Sequence, residues 1–150
     1  MFAKADKDAQ QMIPMNTVAY INLSGLSEEK LYLEQEDCEQ LDKARISHAM
    51  VFHNPYIYVI GGIVDNLPDH KCKKFHVYDK VWCDISSVGF YSALTNPAIC
   101  AVDDYIYVFD SYSDSQSIHK YSIGYDMWEN IAFKTTDFVI PKSIDSTVFR

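Results

Sequence analysis

The residues best suited to chemistry form a short ligand-like run, His70-x-Cys72-x-x-x-His76. Thiolates and imidazoles are the usual ligands of structural zinc, but such a site wants four of them in a tetrahedral array. Near in sequence, only Asp79 or Cys83 could complete the set. His70 falls in a polar loop and His76 in a strand, so a surface loop leading into a strand histidine accounts for the same residues. His48 and His53 bracket a strand, and five positions along a strand place two side chains on opposite faces. That spacing argues against a joint site. A hydrolase nucleophile of the G-x-S-x-G type is absent, and so is a G-x-x-x-x-G-K-[ST] phosphate loop. Asp65, Asp69, Asp79 and the acids of residues 28–43 read as solvated surface. The chain therefore reads as non-catalytic, with no metal and no cofactor implied.

The charge balance narrows the partners. Thirteen Lys and Arg face 21 Asp and Glu, for a formal net charge of −8. A protein that grips a nucleic-acid backbone needs a basic footprint, and the longest basic stretch is Lys71-Cys72-Lys73-Lys74. An acidic surface also disfavours anionic membranes. No apolar run approaches the length of a membrane helix. Residues 1–16 lack the apolar stretch of a secretory signal. The reading is a cytoplasmic protein with no nucleic-acid or membrane partner. Of the four cysteines, Cys38, Cys72, Cys83 and Cys100, none forms a C-x-x-C pair. In a reducing compartment they are free thiols; a disulfide framework is the alternative.

What would position a binding surface is a repeat. Eleven Tyr and eight Phe favour half-buried pleated surfaces. Tyr56-Ile57-Tyr58-Val59-Ile60 returns 49 residues later as Tyr105-Ile106-Tyr107-Val108-Phe109. Each copy follows a polar pair, Asn54-Pro55 or Asp103-Asp104, and each pair follows a short apolar strand, which is a hairpin signature. Downstream, Phe75-His76-Val77-Tyr78 precedes Trp82, and Ile118-His119-Lys120-Tyr121 precedes Trp128. The Tyr-to-Trp gap differs by three residues, which reads as a deletion in the turn between those strands.

The unit is thus four strands in roughly 50 residues. The first copy places them near 47–52, 56–60, 74–78 and 81–85, and the second near 98–102, 105–110, 117–121 and 127–131. The expected organisation is a tail over 1–16, a partial unit near 17–43, whole units near 44–86 and 95–132, and a partial unit near 143–150. Residues 28–43 carry seven acids and two bases. They read as an acidic loop after a short strand or as a helix capped by Ser27.

These residues resemble the kelch family. Tyr56 through Gly61-Gly62 resembles its strand ending in paired glycines, and Tyr78 with Trp82 resembles its Tyr-Trp pair. The second copy departs from the pattern, with Asp110-Ser111 where the double glycine would stand. The resemblance implies an all-β fold: a segment of a β-propeller built from four-stranded antiparallel blades, usually six of them. Two whole blades cannot close such a ring, so it further implies a longer protein or completion by another chain. Gly61 and Gly62 are expected to permit positive φ or close backbone approach. Tyr78, Trp82, Tyr121 and Trp128 are expected in the packing between blades. Kelch proteins often bind other proteins through loops on one face. On that face the connections after the second and fourth strands place Arg45, Asp65, Asn66, His70, Ser113 and Asp114, the candidate contacts to a protein partner. The resemblance implies an adaptor-like scaffold; a subunit of a large assembly and a fragment of a propeller enzyme are the alternatives.

Overall fold

The computed structural model describes residues 4–5, 12–13, 39–90, 94, 96–110 and 117–131. It is all-β, and the strands run antiparallel throughout. Two compact units are present, residues 1–44 and 45–150. In the first, β1 (Lys4–Ala5) pairs with β2 (Met12–Ile13). Residues 39–43 are not helical; the rest of the acidic segment, from 28 to 38, lies outside the described residues. So do the two partial units expected near 17–43 and 143–150, apart from residues 39–43.

Among the described residues, the second unit holds two four-stranded meanders and one small hairpin. The first meander is β3 (Ala49–His53), β4 (Tyr56–Ile60), β7 (Cys72–His76) and β8 (Val81–Asp84), paired in that order. Between β4 and β7 rises the hairpin β5 (Ile63–Val64) and β6 (Leu67–Pro68). The second meander is β9 (Ala98–Val102), β10 (Tyr105–Asp110), β11 (Ser117–Ser122) and β12 (Met127–Ile131), again in sequence order. Tyr, Ile, Val and Phe fill the second strand of each meander, and these side chains suit a pleated surface covered on both sides.

The two meanders repeat one another in register. Ala49 pairs with Ile60, and 49 positions on, Ala98 pairs with Phe109. Lys73 pairs with Asp84, and 46 positions on, His119 pairs with Asn130. The backbone repeats as well. Val77 N–H donates to Pro55 O and Ile123 N–H to Asp104 O, each at 3.0 Å. Positive φ recurs at Ser47 and Asn96 before the first strand, and at Lys80 and Asp126 before the fourth.

This register corrects one reading of the sequence. The turns between third and fourth strands, 77–80 and 123–126, are equally long. The three-residue difference lies instead between the second and third strands, where the first meander inserts β5–β6. Tyr121 is therefore the counterpart of Phe75, not of Tyr78. Tyr78 sits in a turn and is 71% exposed, so it is not packing between sheets. Its hydroxyl lies 3.4 Å from Asn54 Oδ1.

One core joins the meanders. Tyr58, Ile60 and Cys72 of the first share it with Ile106, Val108, Tyr121 and Trp128 of the second. The segment from β8 to β9 contributes Ile85, Phe90 and Leu94 to the same core. Trp128 donates its Nε1 hydrogen to Ser86 O at 2.7 Å, and Phe90 lies 4.4 Å from its ring. Asp126 Oδ1 accepts from the Tyr121 hydroxyl at 2.5 Å and from Ser86 N–H at 2.9 Å. Burial and that carboxylate push the Tyr121 hydroxyl well above the ordinary phenol range. Trp82, the counterpart of Trp128, is half-buried against Phe75 with ring centres 5.1 Å apart.

Candidate interaction hairpin

The connection from β4 to β7 begins with two glycines for a steric reason. Gly61 and Gly62 have φ of 65° and 100°, a region that side chains resist. A Cβ at Gly61 would meet Leu94 O at 2.7 Å, and one at Gly62 would meet Ile46 O at 2.7 Å. The backbone thus runs tight against two neighbouring segments. Gly62 N–H donates to Leu94 O at 2.8 Å, and Asn96 N–H to Ser47 O at 2.6 Å. The connections after second and fourth strands do come together, as their shared end of the sheets requires.

From the glycines the chain turns out into β5–β6. Asp65 and Asn66 have φ of 51° and 65°. Two consecutive positive φ values in a two-residue hairpin loop make the primed turn that matches strand twist, and Asp and Asn tolerate it. Pro68 sits on the edge strand, where its missing N–H is harmless. Ile46 and Ile63 exchange hydrogen bonds of 3.1 and 2.8 Å, which ties the hairpin back to the segment before β3.

Arg45 holds the base. It is 2% exposed, so it is no solvent-facing contact residue as the loop reading of the sequence has it. Its Nη1 donates to Gly61 O at 2.9 Å and to Lys71 O at 3.2 Å, and its Nη2 meets Asp69 Oδ2 at 3.3 Å. Asp69 in turn accepts from Lys71 N–H at 3.2 Å. A rigid planar fork suits three acceptors fixed at one site. The guanidinium therefore closes the ring from residue 61 to 71 at its neck.

What projects is the tip. Asp65, Asn66 and His70 are exposed, and Leu67 between them is 69% exposed. The sequence reading passes over Leu67, although an Asp-Asn pair flanked by Ile63-Val64 and Leu67-Pro68 is a hairpin signal. Ser113 and Asp114 lie outside the described residues.

The ligand-like run does not converge. Cys72 and His76 share one face of β7, but four strand positions separate them by about 13 Å. Cys72 is buried, and that burial raises its thiol to about 12. His76 Nδ1 meets Asp79 Oδ2 at 2.7 Å. Among the described residues no three His, Cys, Asp or Glu side chains gather as a metal site.

Two histidines carry a pH dependence. Burial, with the Arg45 charge added, holds His48 at about 4. Burial also lowers His119, against the opposing effect of its 2.5 Å contact with Asn130 Oδ1. The unfolded chain takes up protons at these sites near the ordinary histidine value of 6.5, and the folded chain does so only at lower pH. Stability is therefore intact above pH 6.5 and falls as the pH drops from there toward 4. Urea unfolding across that window is expected to show the loss, and the His48→Gln/His119→Gln double variant is expected to flatten it. No protein-family model matches the chain, and no curated protein sequence matches it.

Proposed function

We propose that the chain is a non-catalytic protein-interaction module, a kelch-type propeller segment that offers the β5–β6 hairpin to a protein partner. One observation carries the reading: a short projecting hairpin with an exposed leucine is fixed at its neck by a fully buried arginine. A buried guanidinium held by three acceptors fixes the loop's conformation, because leaving it or a partner uncompensated is costly. A rigid loop that presents Leu67 and Pro68 among polar side chains can bind without a large ordering cost. The two in-register meanders support the propeller part, and the acidic surface supports a protein rather than a nucleic-acid partner. Free thiols at Cys72, Cys83 and Cys100 fit the cytoplasm.

The test is affinity capture from source cells with the tagged chain, quantified by mass spectrometry. Leu67→Asp is expected to reduce recovery of the specific partner at least tenfold. Tyr78→Asp, in the β7–β8 turn at the end of the first meander away from the hairpin, is expected to leave it unchanged. Equal recovery with Leu67→Asp, or equal loss with both variants, overturns the hairpin as the contact.

A further inference from the structure

Ser117 and His119 lie two positions apart on β11, and alternation puts both side chains on one face of the strand. That face turns to the core. His119 is 1% exposed, and the Phe90 ring stands edge-on to it with centres 5.1 Å apart. Asn130 lies directly opposite His119 on β12. The three side chains form a line. Ser117 Oγ lies 3.1 Å from His119 Nε2, and His119 Nδ1 lies 2.5 Å from Asn130 Oδ1.

The ends of the line fix its direction. An amide oxygen only accepts, so Nδ1 carries the ring hydrogen and donates it to Asn130. Nε2 is then the bare nitrogen, and it accepts from the Ser117 hydroxyl. Burial holds the ring below the ordinary histidine range, so it is neutral and free to take a proton at physiological pH. A serine donating to a neutral imidazole, whose far nitrogen is held by a third group, is the arrangement that activates a hydroxyl as a nucleophile. Asp110 is the partner of Ser117 across β10 and β11 and is 7% exposed. Its charge favours the protonated ring, the state reached once the serine proton has moved.

Strand pairing alone does not ask for the serine. In the first meander Lys73 and Asp84, 2.8 Å apart, hold the register position of His119 and Asn130. The residue at the place of Ser117 is there the exposed Lys71. Ser117 itself is only half-buried, as the first residue of β11. It stands at the end of its sheet from which, in the other meander, the hairpin emerges. A reactant can thus meet Oγ without entering the core.

We propose that Ser117 is a modification site, whose hydroxyl accepts an acyl group from an activated donor, a thioester or an ester with a good leaving group. Oγ bonds the carbonyl carbon as its proton passes to His119 Nε2. The acyl carbon–sulfur or carbon–oxygen bond of the donor breaks, and the leaving group departs with the proton from Nε2. The protein itself is the acceptor, so one transfer per chain completes the reaction, which stands beside a non-catalytic role. The site shares no residue with the hairpin, so failure of either reading leaves the other standing.

The probe is p-nitrophenyl acetate on the full chain, with adducts mapped and timed by peptide mass spectrometry. An acetyl group is expected on Ser117. Ser117→Ala is expected to remove that adduct and leave acetylation of the lysines and Cys83 unchanged. His119→Gln is expected to slow labelling of Ser117 by about a hundredfold or more, the contribution of a positioned base. His119 is a core residue, so Asn130, which is exposed, supplies an arm that does not risk the fold. Asn130→Ala is expected to slow Ser117 labelling several-fold with the melting transition retained. Asn130→Asp restores an acceptor for Nδ1–H and is expected to recover the rate. A chain acetylated elsewhere but not on Ser117 overturns the proposal. So does Ser117 labelling at the wild-type rate in a folded His119→Gln or Asn130→Ala chain.

Discussion

Replacing Trp128 by Ala is expected to cost about 3–5 kcal/mol of folding stability, the range for a buried aromatic cut back to a methyl. The indole is 6% exposed and packs on Phe90 and Tyr121, with ring centres 4.4 and 5.0 Å away. Its removal opens a void where the β8–β9 segment crosses the second meander. It also strips the donor from Ser86 O, which Nε1 reaches at 2.7 Å. Neighbouring Gly89 cannot fill the space with a larger residue in its place, since a Cβ there would meet Trp128 O at 2.7 Å.

The repeat turns this into a graded series. Trp82 holds the same register position but is half-buried, so Trp82→Ala is expected to cost less. Tyr78 is exposed in a turn, where substitutions usually move stability by less than about 0.5 kcal/mol. Urea unfolding of the three variants checks the order Trp128, Trp82, Tyr78. A Tyr78→Ala loss as large as that of Trp128→Ala would restore the register in which Tyr78 matches Tyr121.

That register marks the boundary of what the sequence makes legible. Strands β4, β9, β10 and β12 fall where the repeated apolar and aromatic segments between polar turns place them. The third strand of the repeat slips because His76 with Tyr78 looks like His119 with Tyr121. Matching residue types hides the pairing, in which Lys73 and Asp84 at 2.8 Å do the work that His119 and Asn130 do in the other meander. A salt bridge and a neutral hydrogen bond can serve one position, and residue identity does not say so. The paired glycines are readable, since only a close approach or a positive φ asks for them. Arg45 is not, because its burial depends on carbonyls 16 and 26 residues further along the chain.

Arg45 is also where the second large effect is expected. Arg45→Ala removes the donors to Gly61 O and Lys71 O and leaves Asp69 without its cation. Breaking a buried charged pair from one side costs about 3–5 kcal/mol, because the remaining partner loses its compensation. Asp69 keeps some solvent access, at 18% of its side chain, so the lower end of that range is expected. Arg45→Lys keeps the charge but not the planar fork, and a single ammonium cannot span three acceptors set for a guanidinium. An intermediate loss follows. The location of the damage separates a neck clamp from an ordinary core residue. Amide exchange at Ile46 and Ile63, which bond each other across the hairpin base, is expected to accelerate in Arg45→Lys well before that of Ile106 or Val108. If the central β10 amides accelerate in step with them, Arg45 supports the whole unit, and the hairpin has no stability of its own to lose.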